Sequence, residues 1–197
     1  MRLFISALAC LLSLSVFSQT TFTGAISDYW ADAGNWDNGL PAEGNDATIP
    51  LEFTVFNDGV LTIDCTINNA GTINNYGSIN NYGTIYNSGT ISNYGTINNV
   101  GTINNEYGGT IYNNYEGIIF NDGTINNSGT IYNYESIYNY GTINQCGSWV
   151  GGDPDGFTYT PCAVPGCTDT SACNYDAAAT SDDGSCESLS CADCCGV

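Results

Sequence analysis

The chain has 197 residues, with 20 acidic side chains, one Lys or Arg, no histidine and a formal net charge of −19. Nucleic acids and anionic membranes are held through basic groups, so both are excluded as partners. Catalysis by imidazole, amine or guanidinium is excluded as well, leaving carboxylate-based glycan cleavage as the enzymatic class still open.

Residues 1–18 read as a signal peptide: Arg2, an apolar stretch from Leu3 to Phe17, and small Ser18 at the cut before Gln19. Cys10 lies inside the apolar stretch without the flanking pattern of a lipoprotein site. No later run approaches the ~20 apolar residues needed to cross a bilayer. The expectation is a secreted or cell-surface protein with no transmembrane segment. Its mature form would carry no cationic side chain.

Residues 19–58 form an N-terminal capping segment. Its centre runs from Trp30 through Asn35, Trp36 and Gly39 to Pro41, followed by Asp46-Ala47-Thr48-Ile49-Pro50. Trp30, Trp36 and Phe53 are expected to cover the first coil of the repeat region. Trp30 and Trp36 are also candidate sugar-stacking residues. Paired tryptophans, a Gly-x-Pro step and an acidic turn make this segment similar to the opening of secreted bacterial β-helix and adhesin-like proteins.

From residue 59 to 150 a hexapeptide repeats, with the ideal form Gly71-Thr72-Ile73-Asn74-Asn75-Tyr76. Isoleucine recurs every six residues from Ile67 to Ile103 and again from Ile119 to Ile143. Only the two steps around Ile111 are eight. Six is not a helical period, and Asn, Gly and Thr are poor helix formers. An even period keeps each strand on one face, so Gly, Ile and the second Asn turn inward or to corners. Thr, the first Asn or Tyr, and the Tyr or Ser turn outward. Short repeats of this kind build all-β, single-stranded parallel β-helices. Three hexapeptides per coil give a triangular solenoid of roughly five coils, or about 24 Å at ~4.8 Å per coil. Proline is absent between Pro50 and Pro154, as an unbroken ladder requires.

Glycine two residues before the isoleucine resembles the left-handed β-helix repeat, in which a small residue takes that place. That resemblance favours a left-handed coil. Enzymes of that family are acyltransferases with a catalytic histidine, and this chain has none.

The two eight-residue steps mark insertions near Glu106-Tyr107-Gly108 and Asn114-Tyr115-Glu116. Extra residues in a solenoid bulge at corners and often serve binding. Glu106, Tyr107, Tyr115 and Glu116 are therefore candidate ligand-binding residues. A harmless slip in repeat copying accounts for the same pattern.

Residues 151–165 read as a linker and 166–197 as a Cys-rich module. Cys162, Cys167, Cys173, Cys186, Cys191, Cys194 and Cys195 crowd this end, as in exported domains too small to hold a core alone. The segment Gly166-Cys167-Thr168-Asp169 through Ala172-Cys173-Asn174-Tyr175-Asp176 to Asp182-Asp183-Gly184-Ser185-Cys186 resembles a Cys-rich repeat of large secreted proteins from marine bacteria and some algae. There it often occurs in tandem and has no established catalytic role. The ending from Cys191 to Val197 resembles the start of a further unit, so a longer protein is expected. Asp169, Asn174, Asp176, Asp182 and Asp183 offer hard oxygens suited to calcium. Asx-turns and N-caps use the same residue types.

Cys65 and Cys146 lie about four and a half coils apart, roughly 20 Å, too far for a disulfide. Cys146 is expected to pair with a C-terminal cysteine such as Cys162, which leaves Cys65 a buried free thiol.

Acidic residues gather at both ends; between 65 and 150 only Glu106, Glu116, Asp122 and Glu135 occur. A neutral Thr/Asn/Tyr surface points to an extracellular structural or adhesive protein that is not an enzyme. Glycans or cell-surface proteins are its expected partners, and it needs no cofactor beyond calcium. The alternative is ice binding through threonine columns, against which the bulky tyrosines break flatness. Carboxylate-based glycan cleavage is a remote third.

Overall fold

The computed structural model describes residues 18–155 and 160–187. The signal-peptide reading and Cys191, Cys194 and Cys195 fall outside that range. Each hexapeptide forms one four-residue strand and one two-residue corner. In the repeat around Ile73, Thr72–Asn75 is extended and Tyr76-Gly77 makes the turn. Three such strands close a coil, and every strand pairs in parallel with the strand one coil on. Ile73 is in register with Ile91, Ile79 with Ile97, and Ile85 with Ile103. The result is a parallel β-solenoid of about seven turns.

The solenoid has three faces. The first carries Thr66–Asn69, Thr84–Asn87, Thr102–Asn105, Thr124–Asn127 and Thr142–Gln145. The second carries Thr54–Asn57, Thr72–Asn75, Thr90–Asn93, Thr110–Asn113, Thr130–Asn133 and Ser148–Gly151. The third carries Val60–Ile63, Ser78–Asn81, Thr96–Asn99, Ile118–Asn121 and Ser136–Asn139.

Coils begin earlier than the regular repeat does. Asn45–Ile49 pairs with Thr66–Asn69, placing Ala47 under Ile67 and Ile49 under Asn69. Thr54–Asn57 pairs with Thr72–Asn75, placing Val55 under Ile73 and Asn57 under Asn75. These strands keep the inward alternation but not the Gly-Thr-Ile signature.

The interior is a column of isoleucines from Ile67 to Ile143, each at most 2 % exposed. Each contributes about 2 kcal/mol by leaving water. Trp30 plugs the N-terminal end of the column, where it meets Leu61 and Ile63. Trp36 packs edge-on against Trp30 and Phe22, and Phe53 packs edge-on against Phe22. Partly buried Trp149 packs at the other end.

Beside the isoleucines, three ladders of asparagine line the corners. Asn57, Asn75, Asn93, Asn113 and Asn133 form one; Asn69, Asn87, Asn105, Asn127 and Gln145 a second; Asn81, Asn99, Asn121 and Asn139 a third. In each, the side-chain Nδ2 donates to the side-chain oxygen one coil on, at 2.7–3.0 Å. The same Nδ2 also donates to a backbone carbonyl of that next coil, as Asn75 does to Thr96. Polar groups without water are costly unless paired, so these ladders turn buried amides into a coil-to-coil clamp.

The corner glycines have a steric cause. A Cβ on Gly95 would lie 2.1 Å from the carbonyl oxygen of Gly77 in the coil before. A side chain there needs the backbone to give, and exposed Glu135 is the one that holds the equivalent place farther along the solenoid. Cys65 occupies the equivalent position at the start, where it borders an open cleft lined by Glu43, Gly44, Asp46 and Asp64.

Both insertions are absorbed at corners without loss of register. In the first, Gly108 adopts φ 88° and Gly109 N donates to Glu106 O at 2.8 Å. In the second, Glu116 adopts φ 71° and Gly117 N donates to Asn114 O at 2.8 Å. Ile91 then pairs with Ile111, and Ile97 with Ile119.

Disulfides join Cys146 to Cys162 and Cys167 to Cys186. Cys173 is disulfide-bonded as well. The first bridge ties the chain after the solenoid to its last corner, where Thr160–Pro161 extends the first face beside Thr142–Gln145.

Candidate functional site

Repeat geometry decides which exposed side chains meet. The residue after each isoleucine points outward, so equivalent positions on successive coils stack. On the second face this places Tyr112 against Tyr132, with ring centroids 4.8 Å apart and planes 9° from parallel. Tyr134, at the neighbouring corner, lies 6.1 Å from Tyr132. The three rings form a continuous aromatic strip.

The two insertions flank that strip. One precedes the strand Thr110–Asn113 and the other follows it, so they stand on opposite margins of one face. Tyr107 is 93 % exposed and Tyr115 77 %. Tyr107 and Gly108 overhang a cleft lined by Ser128, Gly129, Thr130, Cys146, Gly147 and Ser148. The floor is thus small residues and hydroxyls, Tyr107 is its one aromatic wall, and Arg2 is the chain's only cation. Such a surface can stack on the apolar face of a sugar ring and hydrogen-bond its hydroxyls.

Glu106 and Glu116 are both exposed, at opposite corners of this face. The four-residue strand between them is about 13 Å long at ~3.3 Å per residue. Paired carboxylates of glycosidases stand ~5–9.5 Å apart.

Trp30 and Trp36 do not join this site, which corrects their reading as sugar-stacking residues. They are only 6 % and 4 % exposed, and Trp36 Nε1 donates to Trp30 O at 3.0 Å. Their rings close the core.

In the Cys-rich module the candidate calcium oxygens accept hydrogen bonds from their own loops. Asp169 Oδ1 accepts from Ser171 Oγ at 2.6 Å and Ser171 N at 2.8 Å. Asp176 accepts from Ala178 N, Asp182 from Gly184 N and Asp183 from Ser185 N. Asn174 Oδ1 accepts from Glu187 N, while its Nδ2 donates to Ser185 O. The Ser171 bonds hold the Asp169 carboxyl below its usual range, and the Ser185 bonds do so for Asp183. Among the described residues, no group of three or more His, Cys, Asp or Glu is arranged for a metal ion.

Cys65 is buried and unpaired. Burial, reinforced by Asp46 and then Asp64, pushes its thiol up to about 11. It stays protonated and unreactive at neutral pH.

No protein family, curated protein or solved structure matches this chain.

The aromatic strip is not visible in the hexapeptide alone. Its signal is the separation of one coil: tyrosines 112 and 132, like 76 and 94, sit where the register superposes them.

Proposed function

We propose that this chain is an extracellular, non-catalytic β-solenoid that serves as a structural and adhesive surface, with neutral glycans as its ligand. One observation carries the reading: the strip Tyr112–Tyr132–Tyr134 lies between the insertions bearing Tyr107 and Tyr115, beside a hydroxyl-lined cleft. An aromatic strip and uncharged donors suit a neutral sugar chain, and the lack of cations beyond Arg2 disfavours an anionic one. The disulfides suit an oxidising, extracellular setting. No helix among the described residues is long and apolar enough to cross a membrane. The separation of Glu106 from Glu116 favours binding over cleavage.

A glycan array run with and without calcium tests the reading. Binding to neutral glycans, lost on Tyr132→Ala, is expected. Stable self-assembly with no glycan bound would leave a purely structural role.

A second reading, ice binding, is favoured by the threonine column of the first face: Thr66, Thr84, Thr102, Thr124 and Thr142 stack in register. Thermal hysteresis that disappears on Thr102→Tyr would replace the glycan reading with this one.

A further inference from the structure

We propose that the stacked tyrosine pairs Tyr76–Tyr94 and Tyr112–Tyr132 are sites of oxidative cross-linking, each coupling into a dityrosine that bolts one coil to the next. The inference is independent of the glycan reading. Three observations support it.

The first is geometry. Tyr76 and Tyr94 have ring centroids 4.9 Å apart and planes 9° from parallel, and Tyr112 and Tyr132 match them at 4.8 Å and 9°. Parallel rings at this spacing keep the two phenols in contact. The backbone ladder holds both rings there before any reaction begins, so coupling needs no search for a partner.

The second is access. Tyr76 is 54 % exposed and Tyr94 39 %, so an oxidant in solution reaches both. Tyr112 and Tyr132 are half-buried, which makes the first pair the more accessible.

The third is the scarcity of competing groups. Lysine and histidine are absent, and the chain has a single methionine. Trp30, Trp36 and Cys65 are buried, which leaves partly buried Trp149 as the indole that competes with the exposed phenols.

The oxidant is hydrogen peroxide delivered through a haem peroxidase, which removes one electron and one proton from each phenol. The two phenoxyl radicals combine through their ortho carbons. Each ring then returns its ortho hydrogen to oxygen and regains its phenol. Overall, two tyrosines and one peroxide give one carbon–carbon bond and two waters. Two phenols are oxidised and the peroxide is reduced.

The fold holds its own control. Phe120 and Tyr138 stack in the same way, 5.2 Å apart and 15° from parallel, but phenylalanine has no phenol to oxidise. Phe56 below Tyr76 likewise ends that stack with a ring that cannot couple.

The test treats the full disulfide-bonded chain with a haem peroxidase and limiting peroxide, then reads dityrosine emission and maps cross-linked peptides by mass spectrometry. Cross-links of Tyr76 to Tyr94 and of Tyr112 to Tyr132 should exceed their yield from the urea-unfolded chain by on the order of tenfold. Y76F should remove the first and spare the second. F120Y should add a third cross-link, to Tyr138. A cross-link distribution equal to that of the unfolded chain would overturn the proposal. So would products dominated by Tyr107 and Tyr115 between chains, or F120Y giving no link to Tyr138.

Discussion

Asn81 stands in register with Ile63 one coil below, and this pairing leaves its buried Oδ1 without a donor. Asn69 has the same orphaned oxygen, above Ile49. Both begin a ladder whose first rung is an aliphatic side chain. Asparagine at position 63 would supply the missing donor. Ile63→Asn should therefore stay within about 1–2 kcal/mol of the parent, because a new buried hydrogen bond offsets lost apolar burial. Ile79→Asn, placed in the isoleucine column itself, should cost at least about 3 kcal/mol. Urea unfolding of the two variants checks the contrast. Equal losses would show that the ladder start is not under tension.

The glycine column predicts a different sensitivity. Gly95→Ala sets a methyl 2.1 Å from the Gly77 carbonyl, where only backbone can yield. A loss of about 3 kcal/mol or more is expected. Glu116→Gly should do the opposite. It relieves a side chain held at φ 71° and should gain about 0.5–1 kcal/mol. Thermal melting distinguishes the two directions.

Coil identity predicts tolerance to whole-coil deletion. Removing residues 71–88, eighteen in all, rejoins Ala70 to Gly89 and preserves every face assignment. The shortened chain should keep its β circular-dichroism signature and a cooperative transition at lower denaturant. Removing Gly89 as well shifts the following strands by one residue, which turns their isoleucines outward. That variant should aggregate or lose its transition.

Two carboxyls with shifted titration lie in the Cys-rich module, and one thiol, Cys65, lies in the core cluster. Asp169 and Asp183 have carboxyls held below their usual range, so they stabilise the folded form above the unfolded value, near pH 4. That contribution disappears as pH falls through the lower, folded value. Amide shifts of Ser171 and Ser185 should accordingly change only below about pH 4. Cys65 acts in the reverse sense: raised to about 11, its contribution is full below its ordinary value and fades as pH climbs toward 11. With no histidine in the chain, the melting temperature should be flat from about pH 5 to 8. A transition inside that window would contradict this assignment.

Much of this architecture can be read in the repeat. The even period places Ile73, Asn75 and Gly77 inward, and the structure finds Ile73 and Asn75 buried and Gly77 packed on a backbone carbonyl. Two things are hidden. Asn45–Ile49 and Thr54–Asn57 are coil strands with no repeat signature, since they share with the repeat only the alternation of inward side chains. The paired tryptophans give no sign of whether their rings face solvent or core. The column of isoleucines decides it, since its open end needs large apolar plugs. The site is half legible: the insertions at Tyr107 and Tyr115 are visible, while the strip between them emerges only when positions twenty residues apart are superposed.

The amide ladders give this molecule a direction. All three interior chains hand their hydrogens toward the C-terminus, while exterior pairs such as Asn98 to Asn80 and Asn144 to Asn126 hand theirs back. At the far end the last interior donors are closed by carbonyls, Asn133 onto Gly152 and Gln145 onto Gly147. At the near end two carbonyls stand open. The solenoid is thus a vectorial object, a one-way street for hydrogen bonds. Both open oxygens lie sealed above Ile49 and Ile63, so this polarity is kept inside the coil and never reaches a neighbouring molecule.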